Sequence, residues 1–272
     1  MIGRGTVKDL RECNRVLPCA KKHSDTGTFF SSEGPTWTDA VVVEIYDANF
    51  CNEMQEIGME LVGGRSQQGH VACLAKPELL NGNSAMIHPI VWSSTLIKRV
   101  CRSTLMAETF AMQKGTGQGA RIRAAFVDAR SLLDIQRWQE TSSDNMSHVW
   151  VADYESLYEH LVSPKMNSVV NMRLAIDLSA LRQLVWERDG ERTQIVDSRR
   201  ADCPRWIDTS TMIAEPLTKA MAGDRMMVAL DTGVLDLQRT PESPAIKARS
   251  REARQNAKKA EQRFPLFRFT DS

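Results

Sequence analysis

The chain has 272 residues, and its 42% hydrophobic and 25% charged residues lie in the range of globular proteins, which excludes an intrinsically disordered chain. Its aliphatic runs, such as residues 41–43, are far shorter than the roughly 20 apolar residues of a membrane-spanning helix, and no apolar stretch follows the first five residues as it does in a secretory signal. We therefore expect an intracellular protein, cytoplasmic or nuclear, that does not cross a membrane.

The formal net charge of +1 conceals a basic C-terminal segment. Residues 240–272 contain eight lysines and arginines against four acids, a net charge of +4, so residues 1–239 carry a net charge of −3. Large apolar side chains are almost absent from residues 247–262, which is typical of a solvated extension. Two interpretations remain open: the tail keeps the protein soluble, or it is attracted to the phosphates of a nucleic acid.

Five short segments have the β-branched and aromatic composition of strands. The first of them ends in the turn-forming sequence Asp-Ala-Asn at residues 47–49. Three strands precede the first long helix and the last two alternate with helices, so the order of elements predicts an α/β domain. The predicted strands cover residues 41–46, 69–74, 90–94, 149–152 and 205–207.

Apolar residues at helical spacing predict the helices. The longest begins at Ser103 or Thr104 and extends to residue 133. We expect a break or kink at Gly115, Gly117 and Gly119, because three glycines inside a helix cost about 3 kcal/mol relative to alanine. The other predicted helices cover residues 6–22, 154–162, 174–189 and 216–221.

Four acidic residues are placed where a metal-binding cluster could form. Asp47 and Asp153 directly follow predicted strands, Glu108 lies in the long helix, and Glu215 directly precedes a predicted helix. Three of them have an ordinary structural alternative: a turn residue for Asp47, a helix N-cap for Asp153, and a first-turn acid for Glu215. Glu108 lies one residue too far along its helix to belong to a capping box.

Short motifs surround these four acids in chain order. They are Tyr-Asp-Ala-Asn-Phe (46–50), Trp-Ser-Ser (92–94) with Arg-Ser-Thr-Leu-Met-Ala-Glu-Thr-Phe-Ala (102–111), Val-Ala-Asp-Tyr-Glu-Ser-Leu (151–157), and Trp-Ile-Asp-Thr (206–209) with Ile-Ala-Glu-Pro-Leu-Thr-Lys (213–219). Together, over roughly residues 40–222, they resemble the RNase H domain at the C-terminal end of copia-type LTR retrotransposon polyproteins. Residues 6–17 resemble the helix that ends the preceding reverse transcriptase, whose Tyr-x-Asp-Asp motif does not occur in this sequence.

The resemblance implies an α/β, RNase H-like fold with a mixed five-stranded sheet flanked by helices. It also implies three parts: a helix and connector from the end of a reverse transcriptase (1–39), the RNase H-like domain (40–222), and a C-terminal extension with the basic tail (223–272). The implied function is that of a metal-dependent endonuclease, part of or derived from a retrotransposon polyprotein, that hydrolyses the RNA strand of RNA–DNA hybrids and leaves a 3′-hydroxyl and a 5′-phosphate. The implied partners are the hybrid and a reverse transcriptase domain.

The family's catalytic acids correspond to Asp47, Glu108, Asp153 and Glu215. By this resemblance they are both catalytic residues and metal ligands. Asp47 would bridge two magnesium ions, Glu108 and Asp153 would each hold one ion, and Glu215 would complete the site. Carboxylate oxygens are the hard ligands that magnesium prefers.

Three polar residues are candidates for contacts with nucleic acid. An enzyme that selects RNA must read 2′-hydroxyl groups across a shallow minor groove, which hydroxyl and amide side chains can do. Ser103, Thr104 and Gln67 have such side chains. The alternative is that they are helix-capping or loop residues.

The sequence departs from the family pattern at three places. Glu215 replaces the family's Asp, and Asn49 and Phe50 replace the Asp-Trp that commonly follows the first acid. No histidine follows His160, so the histidine that some cellular RNases H place before their last acid has no counterpart. The additional methylene of Glu215 can displace a metal ion by about 1 Å, which is enough to affect catalysis. Manganese would tolerate the change better than magnesium, so it is a second candidate cofactor. The alternative function is a catalytically inactive RNase H-like module that binds nucleic acid.

Overall fold

The computed structural model describes residues 6–22, 24–25, 27–57, 60–81, 83–163, 168–186 and 202–237. The basic tail and the predicted helix end at residue 189 lie outside this part. No helix of the described residues is both long enough and apolar enough to cross a membrane.

The described residues form six helices and six strands. The helices are α1 (Val7–Lys22), α2 (Thr104–Ala129), α3 (Trp138–Asn145), α4 (Glu155–Val162), α5 (Met172–Trp186) and α6 (Asp224–Thr232). The strands are β1 (Val41–Ile57), β2 (Glu60–Ala75), β3 (Ala85–Leu96), β4 (His148–Ala152), β5 (Asp202–Trp206) and β6 (Val234–Leu235).

The strands form one mixed sheet in the order β5-β4-β1-β2-β3-β6. The first three strands pair antiparallel, whereas β4 pairs parallel with β1 and β5 pairs parallel with β4. The predicted α/β class, with helices flanking a mixed sheet, is confirmed. The described sheet has six strands instead of five, because the two-residue β6 adds antiparallel to β3. A two-residue strand is too short to show a periodic pattern in the sequence.

The first strand is longer than its composition predicts. The turn-forming residues 47–49 continue β1, since Asp47 pairs with Gly69 and Asn49 pairs with Gln67 on β2. The irregularity comes later, as a register shift between Asn49 and Glu53, where Cys51 has a positive φ of 55°. Cross-strand pairing therefore overrides the local turn preference at Asp47.

The predicted break in the long helix is wrong, because α2 is continuous through all three glycines. Two of them allow the helix to approach the sheet closely: a Cβ on Gly115 would overlap the ring of Tyr46, and a Cβ on Gly119 would overlap the ring of His148. Gly117 faces open space, with nothing within 4 Å of its Cβ position. Packing against β1 and β4 therefore compensates for the low helix propensity of glycine.

Other helices differ from the prediction in extent. The predicted helix at 216–221 is only a 3-10 turn at Glu215–Leu217, while α3 and α6 were not predicted. Although α6 and β6 lie beyond residue 222, where the extension was expected to begin, they contribute Met226, Ala229 and Leu235 to the buried core. This part of the extension therefore packs on the sheet.

Alternate residues of β1 are buried on opposite faces of the sheet. Val41, Val43 and Ile45 join the core that residues 207–235 complete. Val42 packs beneath α2, and Tyr46 belongs to a core shared by α2, α4 and α5. Both faces of the sheet are therefore covered along residues 41–46 of β1 and 148–152 of β4.

Candidate active site

Parallel pairing brings the first two predicted acids to the same level of the sheet. In the β1–β4 register Ile45 lies opposite Val151, so Asp47 and Asp153, each two residues further on, leave neighbouring strands at the same height. Asp153 follows the last residue of β4, whereas Asp47 lies within β1. The carboxyl end of β4 is therefore the point where the two side chains converge.

The third acid comes from α2, which lies across this end of the sheet. Ser103 caps α2 by accepting a hydrogen bond from the backbone N–H of Met106 at 3.2 Å, which fixes where the helix begins. Glu108 lies in the next turn and is only 4% exposed. The capped start of α2 thus fixes the part of the helix that carries Glu108.

Asp47, Glu108 and Asp153 form a cluster able to hold a metal ion. Each offers a carboxylate oxygen, and these three oxygens all lie within 4.8 Å of one another. Asp47 and Glu108 are buried, and Asp153 is partly buried. Several converging carboxylates supply the hard oxygen ligands that magnesium and manganese accept, so the donor set fits a divalent ion of this class.

Glu215 lies beside the cluster but is not one of its three members. Its Oε1 accepts a hydrogen bond from Nζ of Lys219 at 2.9 Å, and the same ammonium lies 3.7 Å from Oδ1 of Asp47. The charge of Glu215 contributes to raising the pKa of both Asp47 and Asp153, which places it electrostatically within the site. The structure therefore connects Glu215 to the cluster through Lys219.

Residues 217–219 are fixed against β1, β2 and β3. Thr218 donates a hydrogen bond from Oγ1 to Oδ2 of Asp47, and Asn49 donates from Nδ2 to the carbonyl of Thr218 at 3.0 Å. Ser94 on β3 donates from Oγ to the carbonyl of Leu217. Gly69 permits the close approach, because a Cβ there would lie 2.7 Å from Cβ of Leu217. Asn49, a departure from the family pattern, thus has a structural role in this site.

Burial and mutual repulsion keep the carboxyl pKa values of the cluster high. Burial is the main reason that the pKa of Glu108 lies well above its usual range, and the charges of Asp47 and Asp153 raise it further. The same two causes, burial and then the charge of Asp47, raise the pKa of Asp153 to about 6. The pKa of Asp47 is also raised by burial, although Lys219 and Thr218 limit the rise. The three carboxyl groups therefore have too little positive charge nearby to offset their burial and mutual repulsion.

This shortage predicts that Asp153→Asn stabilises the metal-free protein at neutral pH. Below about pH 4 the Asp153 carboxyl is protonated in the folded and unfolded chains alike. Between about pH 4 and 6 only the folded chain keeps the proton, so the free energy of unfolding falls as pH rises, by up to about 3 kcal/mol for a pKa raised from 3.8 to about 6. Urea unfolding in EDTA at pH 4, 6 and 8 measures the effect.

The variant should be more stable than the wild type at pH 8 and lose this advantage toward pH 4. Asp128→Asn, on the exposed side of α2, is the matched control and should show no such trend. An advantage of Asp153→Asn that is equal at all three pH values would contradict the explanation by charge.

The three candidate nucleic-acid contacts are placed differently. The Ser103 hydroxyl caps α2, which is the helix-capping role given above as the alternative to contact with nucleic acid. Gln67 pairs with Asn49 across the sheet and donates from Nε2 to Oγ of Ser94 at 2.6 Å, close to the fixed segment 217–219. Thr104 is the first residue of α2 and is partly buried. Their contact with nucleic acid stays a prediction.

The sequence reasoning missed Thr218 and Lys219 as parts of the site. Both lie inside the motif Ile-Ala-Glu-Pro-Leu-Thr-Lys, in which only the acid was predicted to belong to the site. A threonine and a lysine three and four residues after an acid meet it again on a helical turn, and this spacing could have indicated them.

No protein-family model matches the chain, and no curated protein matches it either. Several solved structures are similar to it. LC11-RNase H1 in complex with an RNA/DNA hybrid has a TM-score of 0.38 and 13% identity, with 68% of this chain and 99% of that chain covered. The N-terminal RNase H domain of Rv2228c from Mycobacterium tuberculosis, fused to maltose-binding protein, has a TM-score of 0.35 and 12% identity, with 71% and 98% covered. RNase H1 from Halobacterium salinarum NRC-1 has a TM-score of 0.33 and 11% identity, with 68% and 96% covered. With TM-scores below 0.5, these likenesses are too distant to bear on the site.

Proposed function

We propose that this protein is a ribonuclease H-type endonuclease that hydrolyses the RNA strand of RNA–DNA hybrids with the help of divalent metal ions. The observation that carries the proposal is the convergence of Asp47, Glu108 and Asp153, whose carboxylate oxygens lie within 4.8 Å of one another. Three mutually repelling acids in a largely buried site raise the free energy of the folded chain, as their raised pKa values indicate. Such a cost is expected where a bound cation offsets it.

In this proposal Asp47, Glu108 and Asp153 hold the metal, and Glu215 contributes from its position beside Asp47. Bound magnesium or manganese would activate a water molecule and neutralise the charge that develops on the scissile phosphate. The protein holds part of the cluster before an ion arrives: Thr218 donates a hydrogen bond to Asp47, and the Ser103 cap fixes the start of the helix that carries Glu108.

The origin of the chain belongs to the same proposal. The succession of motifs over residues 40–222 and helix α1 support descent from a copia-type retrotransposon polyprotein in which a reverse transcriptase domain precedes this one. The division into residues 1–39, 40–222 and 223–272 stays part of this proposal, except that Met226, Ala229 and Leu235 belong to the core of the domain.

An RNA–DNA hybrid labelled at the 5′ end of its RNA strand tests the function. We expect endonucleolytic cleavage of the RNA in magnesium or manganese, 3′-hydroxyl and 5′-phosphate ends, and no cleavage in EDTA. The same RNA as a single strand or in an RNA duplex is the control and should remain intact. Binding of the hybrid without cleavage in either metal would favour the alternative, an inactive module that binds nucleic acid.

Glu215→Asp tests whether the longer fourth acid limits the rate. Asp has one methylene fewer than Glu, so its carboxylate lies closer to the main chain and has one rotatable bond fewer. The carboxylate is then held more precisely, as in-line attack on the phosphate requires. We expect a magnesium-supported rate that is higher by about tenfold and a lower ratio of manganese to magnesium activity. An unchanged rate, in a variant that unfolds at the wild-type temperature, would contradict this expectation.

A further inference from the structure

Among the ion pairs of the described residues, those of the four predicted acids are formed by Lys219. Its Nζ lies 2.9 Å from Oε1 of Glu215 and 3.7 Å from Oδ1 of Asp47, and its side chain is 34% exposed. No lysine, arginine or histidine within the described residues forms an ion pair with Glu108 or Asp153. The site therefore has two unequal sides, one with a resident cation and one without.

The main chain beneath Lys219 is held in place. Its own N–H donates to the carbonyl of Glu215 at 3.0 Å, and the preceding Thr218 is fixed to Asp47 through its hydroxyl and to Asn49 through its carbonyl. The Cα of Lys219 therefore cannot withdraw without breaking these contacts. Only the flexible side chain can move, toward Asp47 and Glu215 or away from them.

A divalent ion and this ammonium would compete for the same oxygens. An ion coordinated by both Asp47 and Glu215 must lie about 2.0–2.1 Å from an oxygen of each. That position is the gap which Nζ of Lys219 already occupies between the two carboxylates. An ion held by Asp47, Glu108 and Asp153 does not have to displace Lys219, because neither Glu108 nor Asp153 forms an ion pair among the described residues.

We propose that Lys219 acts as a resident cation that takes the place of one of two divalent ions. The Asp47, Glu108 and Asp153 side would bind an ion with Lys219 in position, whereas an ion between Asp47 and Glu215 would bind only after the lysine side chain moves away. Lys219 is thus a positioning residue that holds Asp47 and Glu215 when that second ion is absent. The inference rests on the proposed function, since it requires these carboxylates to bind metal.

Calorimetric titration of the full-length protein with manganese, without nucleic acid, tests the inference. We expect the wild type to bind one ion per chain in the tighter phase, and Lys219→Gln to bind two, the second at least about tenfold tighter than any second ion in the wild type. Lys219→Arg keeps the charge and should resemble the wild type. Lys114→Gln removes an exposed lysine that donates to Thr95 instead of to an acid, and it should also resemble the wild type.

The outcomes separate this inference from the proposed function. If Asp47→Asn abolishes manganese binding but Lys219→Gln binds as many ions as the wild type, with the same affinities, the role of Lys219 is wrong and the metal site is retained. If manganese binding is the same in Asp47→Asn and the wild type, the metal site itself is wrong. Two ions of equal affinity in the wild type would overturn the role of Lys219 without any variant, and circular dichroism verifies that each variant is folded.

Discussion

Asp47→Asn should abolish cleavage of the RNA–DNA hybrid and leave binding of the hybrid intact or stronger. The carboxylate is central to the site, since it belongs to the three-acid cluster and also contacts Lys219 and Thr218. Asparagine keeps the size of the side chain and an acceptor for Thr218 but removes the charge that attracts a metal and repels phosphate. Loss of one preorganised electrostatic group lowers a rate by about 100- to 1000-fold, so we expect a decrease of at least about 100-fold.

Glu44→Gln is the matched control for this experiment. Glu44 is a fully buried acid on the same strand, and it lies next to Gly119 beneath α2 instead of in the cluster. Burial holds the pKa of its carboxyl well above the usual range, which favours the neutral form that glutamine resembles. Cleavage should persist in Glu44→Gln. Parallel loss of cleavage and binding in a folded Asp47→Asn would show that Asp47 is a structural residue.

Alanine substitutions in α2 should have opposite effects on stability at two neighbouring glycines. A Cβ at position 119 would overlap the ring of His148 and lie 2.8 Å from Cγ of Glu44. The His148 ring cannot retreat easily, because it is fully buried and accepts a hydrogen bond from Nε1 of Trp150 at 3.1 Å. Overpacking of this kind costs about 1–3 kcal/mol, and the contact with a rigid ring places Gly119→Ala at the upper end of that range.

Gly117→Ala isolates the contribution of helix propensity. Nothing lies within 4 Å of its Cβ position, so alanine should stabilise the protein by about 1 kcal/mol. The same gain applies at position 119 but does not offset the overlap. We therefore expect the two variants to differ by about 3 kcal/mol in free energy of unfolding, measured in urea. Stabilisation by both substitutions would mean that α2 does not lie close to β4.

Local sequence was sufficient to predict the elements that position the acids. The β-branched runs before Asp47 and Asp153 predicted β1 and β4, and the apolar spacing after Ser103 predicted the start of α2. The strands β1 and β4 are buried on both faces and α2 is buried along one side, so the spacing of their apolar residues is clear in the sequence. The positions of Asp47 and Asp153 follow from these predictions, because each acid comes directly after a β-branched run.

Features that depend on contacts between distant segments could not be predicted. The continuity of α2 depends on the shapes of Tyr46 and His148, which lie far from the glycines in sequence and make glycine favourable there. The extension of β1 beyond residue 46 depends on pairing with β2. The role of Lys219 depends on the segment that docks beside Asp47, a contact between residues 172 positions apart.

Anomalous diffraction from crystals of the full-length protein soaked in manganese would show whether the three-acid cluster binds a metal ion. We expect an anomalous peak within coordinating distance of carboxylate oxygens of Asp47, Glu108 and Asp153, and no peak there in crystals of Asp47→Asn soaked in the same way. Manganese bound only elsewhere in the wild-type crystals, with the three carboxylates visible and the site open to solvent, would contradict the assignment of a metal centre.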